Sequence, residues 1–374
     1  MQFILTDEQT QFRDAVQRFL RDKSPTTEVR RLMETEEGFD RQVWEQMCGD
    51  LGLAGIHIPE AYGGLGFGMV ELGIVMEEMG QALYCSPYFA SAVLAANVIL
   101  LGADERHREL LLPGIAAGTR IATLAVTEPD GRWDEGGITL TARPAADGFT
   151  LDGTKKFVLD GCIANTVIVA ARLAAGGIAL LLVDGDAEGL TRRSLNTLDD
   201  TRKLAELNFS GVQATLLGPP TEASAALARG GDLSTIALAN EMVGGAQALL
   251  DSAVDYAQMR MQFGRLIGSF QSIKHKCAEM LLDVELAKSA AYYAAEAAAE
   301  DDPELPALAS LSKALASEVY MATAAECIQI HGGIGFTWDQ DTHLWFKRAK
   351  SSEVFLGDAN FHRERYIQCL EATA

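Results

Sequence analysis

The sequence predicts an α+β protein built from three segments in the order helical, β, helical. Two observations carry this. Apolar residues recur at helical spacing up to residue 120 and again from 221, whereas the intervening stretch breaks into short β-branched runs punctuated by Gly, Pro and Asp. The final part holds three long Ala- and Leu-rich stretches, 222–260, 270–300 and 305–330. The predicted architecture is an α-helical N-terminal domain over 1–120, a middle β-sandwich or barrel over 121–220, and a C-terminal four-helix bundle over 221–374.

The elements follow in order. The start, Met1 to Glu8, has neither a basic stretch nor a long apolar run, so no signal peptide is expected. Thr6 with Gln9 forms a capping-box pattern, and Phe12, Val16, Phe19 and Leu20 then fall on one helix face. Tyr62-Gly63-Gly64-Leu65-Gly66 is a loop, and Val70 to Met79 resumes helical spacing. No charge occurs between Glu78 and Asp104, but Pro87 divides this stretch. The remaining run, Tyr88 to Leu101, is too short to span a bilayer and reads as a buried core helix.

The β-segment opens with Ile121 to Val126. Ile138–Ala142 and Phe149–Asp152 flank Asp147-Gly148, a hairpin signal. Further runs are Phe157–Leu159, Thr166–Ala170, Ile178–Val183 and Ala205–Phe209. In the C-terminal part, Pro303 and Pro306 separate the last two helices.

Composition limits the function classes. The chain has 374 residues, with 31 Lys and Arg against 52 Asp and Glu, a formal net charge of −21. Such a surface repels phosphate backbones and anionic lipid, so nucleic-acid and membrane partners are not expected. Six cysteines stand far apart, at 48, 85, 162, 277, 327 and 369, a spacing that fits neither a zinc site nor a disulfide framework. Isolated thiols point to a reducing compartment, the cytoplasm.

Two segments carry chemistry. Arg260-Met261-Gln262-Phe263-Gly264 interrupts two long helices and can present a guanidinium fork and backbone N–H groups to a phosphate. Gln329-Ile330-His331-Gly332-Gly333-Ile334-Gly335-Phe336 ends a helix with three glycines, which let backbone approach a ligand. Taken singly, the first reads as a helix corner with a surface Arg and the second as a helix C-cap.

In this order and on this architecture, the two segments resemble the acyl-CoA dehydrogenase family of flavoproteins. The resemblance covers nearly the whole chain. It includes Thr127-Glu128-Pro129, Gly153-Thr154-Lys155-Lys156-Phe157 and Ala349-Lys350. It implies FAD as cofactor, an acyl-CoA substrate, an electron-transfer flavoprotein as acceptor, and a homotetramer or a heterotetramer with a homologous chain. By position, Arg260, Gln262, Phe263, Gln329, Gly332 and Gly333 would contact the adenosine pyrophosphate of a neighbour's FAD. Val126, Thr127 and Phe157 would face the flavin of the chain's own cofactor. Asp358 and Asn360 would reach adenine or ribose, and His331 and His362 would have structural or cofactor-contact roles.

The chain also departs from the family pattern. Trp133 replaces a serine that helps hold pyrophosphate, Leu159 replaces a hydroxyl near flavin N5, and Thr235 replaces an Arg that supports CoA. Removal of the α-proton needs a carboxylate within hydrogen-bond reach. The family's usual base position is Leu356 here, and the alternative early in the first bundle helix is Ser234. One other carboxylate stands out, Glu241, alone in the apolar stretch 235–248: it reads either as the base or as a solvent-facing or salt-bridged helix residue.

Two functions follow from the resemblance. One is α,β-dehydrogenation of an acyl-CoA thioester with Glu241 as base, in fatty-acid or steroid side-chain degradation. The other is a non-catalytic partner subunit that completes the FAD site of a homologous chain. A flavin monooxygenase or oxidase on the same fold is a third class, for which no residue argues.

Overall fold

The computed structural model describes residues 5–373. Of the N-terminal stretch read for a signal peptide, Met1–Ile4 lie outside the described residues. Helices α1 (Asp7–Lys23), α2 (Thr26–Met33) and α3 (Arg41–Asp50) come first. After α4 (Met69–Gln81), a π-helical stretch, Phe89–Ala95, leads into α5 (Ala96–Gly102), followed by α6 (Glu105–Ala116). The strands are β1 (Ala122–Ala125), β2 (Thr141–Ala145), β3 (Gly148–Leu159), β4 (Thr166–Leu173), β5 (Ile178–Asp184), β6 (Leu190–Ser194) and β7 (Leu204–Leu216). Helix α7 (Pro220–Met259) runs into a small hairpin, β8 (Met261–Gln262) and β9 (Arg265–Leu266). The chain ends with α8 (Gln271–Ala299), α9 (Leu305–His331), α10 (Thr342–Val354) and α11 (Ala359–Thr373).

The local signals act as expected. Thr6 Oγ1 accepts from the Gln9 N–H at 3.1 Å and Gln9 Oε1 from the Thr6 N–H at 3.0 Å, closing the capping box. The run around Tyr88–Ile99 is buried, because nothing in it carries a charge.

The contacts divide the chain into two compact units. One comprises Met1–Arg30, Met69–Tyr84 and Thr235–Ala374; the other comprises Arg31–Gly68 and Cys85–Ser234. The N-terminal helices are therefore shared between the two units, with α1 and α4 in the first and α3, α5 and α6 in the second.

In the second unit the strands close into a ring. β4 pairs along one edge with β5 and along the other with β1 and then β2; β2 pairs with β3, β3 with β7, and β7 with β5. Of sandwich and barrel, the barrel is the outcome. Side chains alternate accordingly: Val167, Val169 and Ala171, with Leu181 and Val183, fill the inner cluster, while Ile168, Ala170, Ile178 and Leu180 pack against Ile99, Leu111 and Leu112 of the helices. The β2–β3 turn is Ala146-Asp147, one residue before the predicted Asp147-Gly148. Gly148 is needed elsewhere: at φ +127°, a Cβ there would lie 2.5 Å from the Ala214 carbonyl oxygen of β7. Strand β6, which pairs with β7, has no apolar run and escapes sequence reading.

In the first unit α9 packs against α8, α10 and α11, and α4 against α1 and α8. Most of α9 is buried, as a helix at the centre of a bundle must be. Helices α4 and α7 meet at glycines. A Cβ on Gly80 would lie 1.9 Å from the Glu241 carbonyl oxygen, and one on Gly244 would lie 1.9 Å from that of Glu77.

Candidate functional site

The two motif segments converge on one cavity of about 670 Å³ in the first unit. It is lined by Arg260, Gln262, Phe263, Gln329, Gly332 and Gly333, together with Tyr256, Ile267, Phe270 and His331. The β8–β9 register leaves Phe263-Gly264 as a two-residue loop, with φ +54° and +77°. Positive φ at both central residues is the type I′ pattern, which favours Asn-Gly rather than Phe-Gly. Phe263 is nevertheless there, 85% exposed. A strained and exposed aromatic at a turn points to a binding role.

On the other wall α9 ends at Gly332, whose φ +68° and ψ −145° only glycine adopts readily. Open space surrounds the Cβ positions of Gly332 and Gly333, so backbone is bare toward the cavity. His331 stacks on Tyr256 with ring centroids 4.2 Å apart, and its Nδ1 lies 2.8 Å from the Cys327 carbonyl oxygen. Sequence reading missed Tyr256, although it lies four residues before Arg260 and so on the same helix face.

The cavity's lining suits the adenosine-pyrophosphate half of FAD. Among the described residues, the side chains of Arg260, Gln262 and Gln329 make no hydrogen bond within the chain, so their donors are available to a ligand. A guanidinium, two amides, bare glycine backbone and an aromatic face match phosphate, ribose and adenine. Its volume is that of a cofactor pocket. The residues fit the group.

The base position is different. Leu356 is buried, at φ +60°, followed by Gly357 at φ +104°. The turn is clamped from behind. Lys313, fully buried, donates from Nζ to the carbonyls of Gly357 (3.0 Å) and Glu353 (3.2 Å) and to Ser317 Oγ (2.9 Å). His362 Nε2 lies 3.0 Å from the Leu356 carbonyl oxygen. Burial, with Lys313 nearby, pushes the His362 imidazole down to about 3, so it is neutral and donates. Asp358 Oδ1 accepts from the Phe361 N–H at 2.8 Å and so caps α11, while Asn360 is exposed.

Glu241 is buried, as its apolar surroundings imply. Its Oε1 lies 2.6 Å from Nη1 of Arg348, itself buried on α10. This carboxylate is thus engaged by a guanidinium, a partner that sequence reading passed over beside Ala349-Lys350. Ser234 Oγ donates to the Gly230 carbonyl at 2.7 Å, and Thr235 is buried.

In the second unit, Thr127-Glu128-Pro129 and Gly153–Phe157 are bound into one edge. Lys155, fully buried on β3, donates from Nζ to the Val126 carbonyl and to Glu128 Oε1, each at 2.8 Å. Glu128 Oε1 also accepts from the N–H groups of Thr139 (2.9 Å) and Leu140 (2.8 Å). Burial pushes the Glu128 carboxyl up, but these donors outweigh it and hold it below its ordinary range. Thr127 Oγ1 donates to the Lys156 carbonyl at 2.5 Å, and the Lys156 N–H donates to the Thr127 carbonyl at 2.9 Å. Register breaks between Lys155 and Val158, leaving half-buried Phe157 at φ +58°. Leu159 is buried, and its carbonyl accepts from Thr123 Oγ1 at 2.6 Å.

Comparison with known proteins gives three domain matches: "Acyl-CoA dehydrogenase, N-terminal domain" over residues 6–119, "middle domain" over 123–212 and "C-terminal domain" over 232–369. The acyl-CoA dehydrogenase IpdE2 of Mycobacterium tuberculosis is 31% identical over 94% of this chain and 93% of its own. The acyl-CoA dehydrogenase FadE34 of the same organism is 34% identical over 94% of this chain, but over only 46% of its own length. Among solved structures, the ChsE4-ChsE5 complex from Mycobacterium tuberculosis matches with a TM-score of 0.90 and 28% identity, covering 100% of both chains.

Proposed function

The chain belongs to the acyl-CoA dehydrogenase family of flavoprotein oxidoreductases, and we propose that within it the chain is the base-lacking subunit of a heteromeric, FAD-dependent enzyme. One observation carries the proposal. The cavity formed by Arg260, Gln262, Phe263, Gln329, Gly332 and Gly333 is complete, whereas the turn that would carry the base ends in a hydrocarbon, Leu356.

In this reading the six cavity residues hold the adenosine pyrophosphate of a homologous chain's FAD. Arg260 neutralises the phosphates, the Gly332-Gly333 backbone donates to them, and Phe263 covers the adenine. Bound FAD supplies the oxidant that takes the β-hydrogen of an acyl-CoA, and an electron-transfer flavoprotein is the acceptor. The homologous chain supplies the carboxylate that takes the α-proton. Leu356 cannot, and Glu241 is held by Arg348.

Three further observations support pairing. Helix α8 bares Leu282 and Leu286, at i and i+4, as exposed apolar side chains on one face. A chain of this length matches about half of FadE34. A solved neighbour is the ChsE4-ChsE5 complex, of two different proteins. The location we assign is the cytoplasm, on the six cysteines, which form no disulfide among the described residues; no described helix is long and apolar enough to cross a membrane.

A self-sufficient homotetramer with Glu241 as base is the second reading. It is favoured by the intact edge at Val126, Thr127 and Phe157, held by Lys155, which would face the chain's own flavin. Asp358 and Asn360 would then reach its adenine or ribose. The experiment that separates the readings is a flavin count by absorbance after size-exclusion chromatography. Substoichiometric FAD on the chain alone, restored by co-expression with a homologous chain, supports the heteromer. Stoichiometric FAD and dehydrogenase activity in a homotetramer would overturn it.

A further inference from the structure

Helix α1 is held to the first unit mainly by polar rungs. Of its residues, Val16 and Leu20 are the buried ones. Gln9, Arg13 and Gln17 stand four residues apart and so share one face. All three reach carboxylates of α4. Gln9 Nε2 donates to Glu71 Oε1 at 2.9 Å, Arg13 Nη2 donates to Glu77 Oε2 at 2.7 Å, and the Gln17 amide donates to Glu78. Two of the rungs therefore end on a consecutive pair of carboxylates, Glu77 at 3% and Glu78 at 4% exposure.

The pair is unequally served. Glu77 also accepts from the Tyr292 hydroxyl of α8 at 2.5 Å and has Lys288 Nζ of α8 at 3.8 Å. Lys288 is shared in turn with Glu285 at 3.8 Å and with Gln247 of α7 at 2.6 Å. Beside Glu78 the cation is Arg13, but its Nε is 3.6 Å away and makes no hydrogen bond. From α7, the groups against α4 are Gly244 and the Glu241 carbonyl, with the Glu241 carboxylate on Arg348 of α10; from α10, Trp345 Nε1 donates to the Gly80 carbonyl at 3.3 Å.

Two buried carboxylates side by side, with one guanidinium bonded to only one of them, favour keeping a proton between them. Removing that proton leaves a second buried negative charge, which only water can relieve. Of the three helices around the pair, α4 is pressed backbone to backbone on α7 at Gly80 and Gly244, and α8 is packed along α9. Helix α1 is the one that can yield. We propose that α1 is a proton-controlled strap, seated on α4 while Glu77 and Glu78 share a proton and released when both are ionised. Burial, and then Glu77, push the Glu78 carboxyl from 4.5 up to about 7. The seated state thus holds a proton that the released state gives up, so seating is firmest below pH ~4.5 and is lost as pH rises through about 7. None of these groups lines the FAD cavity, so the strap stands whether or not the heteromer reading holds.

The test is amide hydrogen exchange of the full-length chain, read by mass spectrometry at about pH 6 and pH 8 and corrected for the intrinsic effect of pH on exchange. Peptides of α1 should exchange through a local opening, at least ~10-fold more readily than peptides of α9. Between the two pH values that opening should become about tenfold more frequent, the rise expected of one proton lost between 4.5 and about 7. Glu78→Gln keeps the pair singly charged and should abolish the rise. Glu71→Gln alters a rung outside the pair and should leave the rise intact. A flat α1 profile in the unmodified chain, or α1 protection equal to that of α9, would overturn the proposal. So would a rise that persists in Glu78→Gln or vanishes in Glu71→Gln.

Discussion

At the scale of single residues, buried charges decide most of the chemistry. Glu241 and Arg348 lie together with almost no solvent contact. Arg348→Met should destabilise the chain by about 3–5 kcal/mol in urea unfolding, because it takes the guanidinium away from a buried carboxylate. Glu241→Gln distinguishes the two roles. If the residue is structural, stability falls and the activity of a reconstituted enzyme persists; if it is the base, activity disappears with stability little changed. Glu78 gives a pH dependence. Burial, and then the neighbouring Glu77, raise its carboxyl from 4.5 to about 7. The folded state therefore binds a proton that the unfolded state has released between those values, so this contribution is present below pH ~4.5 and lost as pH rises to ~7. Glu78→Gln should flatten the stability profile across that window and stabilise the chain at pH 8, by on the order of 2–3 kcal/mol. Thermal midpoints measured from pH 4.5 to 8 check both. The lone Glu241 was visible in the sequence, because a carboxylate among Ala, Met, Val and Gly stands out. Its guanidinium was not, because Arg348 is 107 residues away along the chain.

At the scale of elements, glycines fix how helices and hairpins fit. Gly80 and Gly244 allow α4 and α7 to touch backbone to backbone. Gly244→Ala must push the helices apart, since no side-chain motion relieves a contact with a carbonyl oxygen. It should cost about 3 kcal/mol in denaturant unfolding. The β8–β9 turn trades stability for binding. Phe263→Asn suits the positive φ better and should stabilise the chain by up to about 1 kcal/mol, while weakening FAD retention in the assembled enzyme. A mutant with lower stability and unchanged FAD would contradict that account. The long helices were legible because their period repeats over many turns. Strand β6 was not, because Leu190-Thr-Arg-Arg-Ser194 has its partner groups on β7 rather than in its own sequence.

At the scale of the whole molecule, the question is what the chain needs beside it. The exposed apolar face of α8 and a cofactor cavity open to solvent predict that association and FAD binding are linked. FAD should raise the thermal midpoint of the chain paired with a homologue by several degrees, and that of the chain alone by much less. Differential scanning calorimetry of both preparations, with and without added FAD, measures this.

The sequence by itself determined the helix–β–helix order, the family, and the two segments that build the cavity. Each is written in local periodicity, in glycine placement, or in motifs a few residues long. Only the tertiary structure decided that the strands close into a barrel and that α1 and α4 belong with the C-terminal helices. It alone brought Arg260 and Gln329 to one cavity, gave Glu241 a buried guanidinium, and set Lys313 behind the Leu356 turn. The physical reason is common to all of these. Each depends on which groups meet when distant segments exclude water together, and burial changes the energy of a charge or an unpaired donor by more than any local preference of the chain.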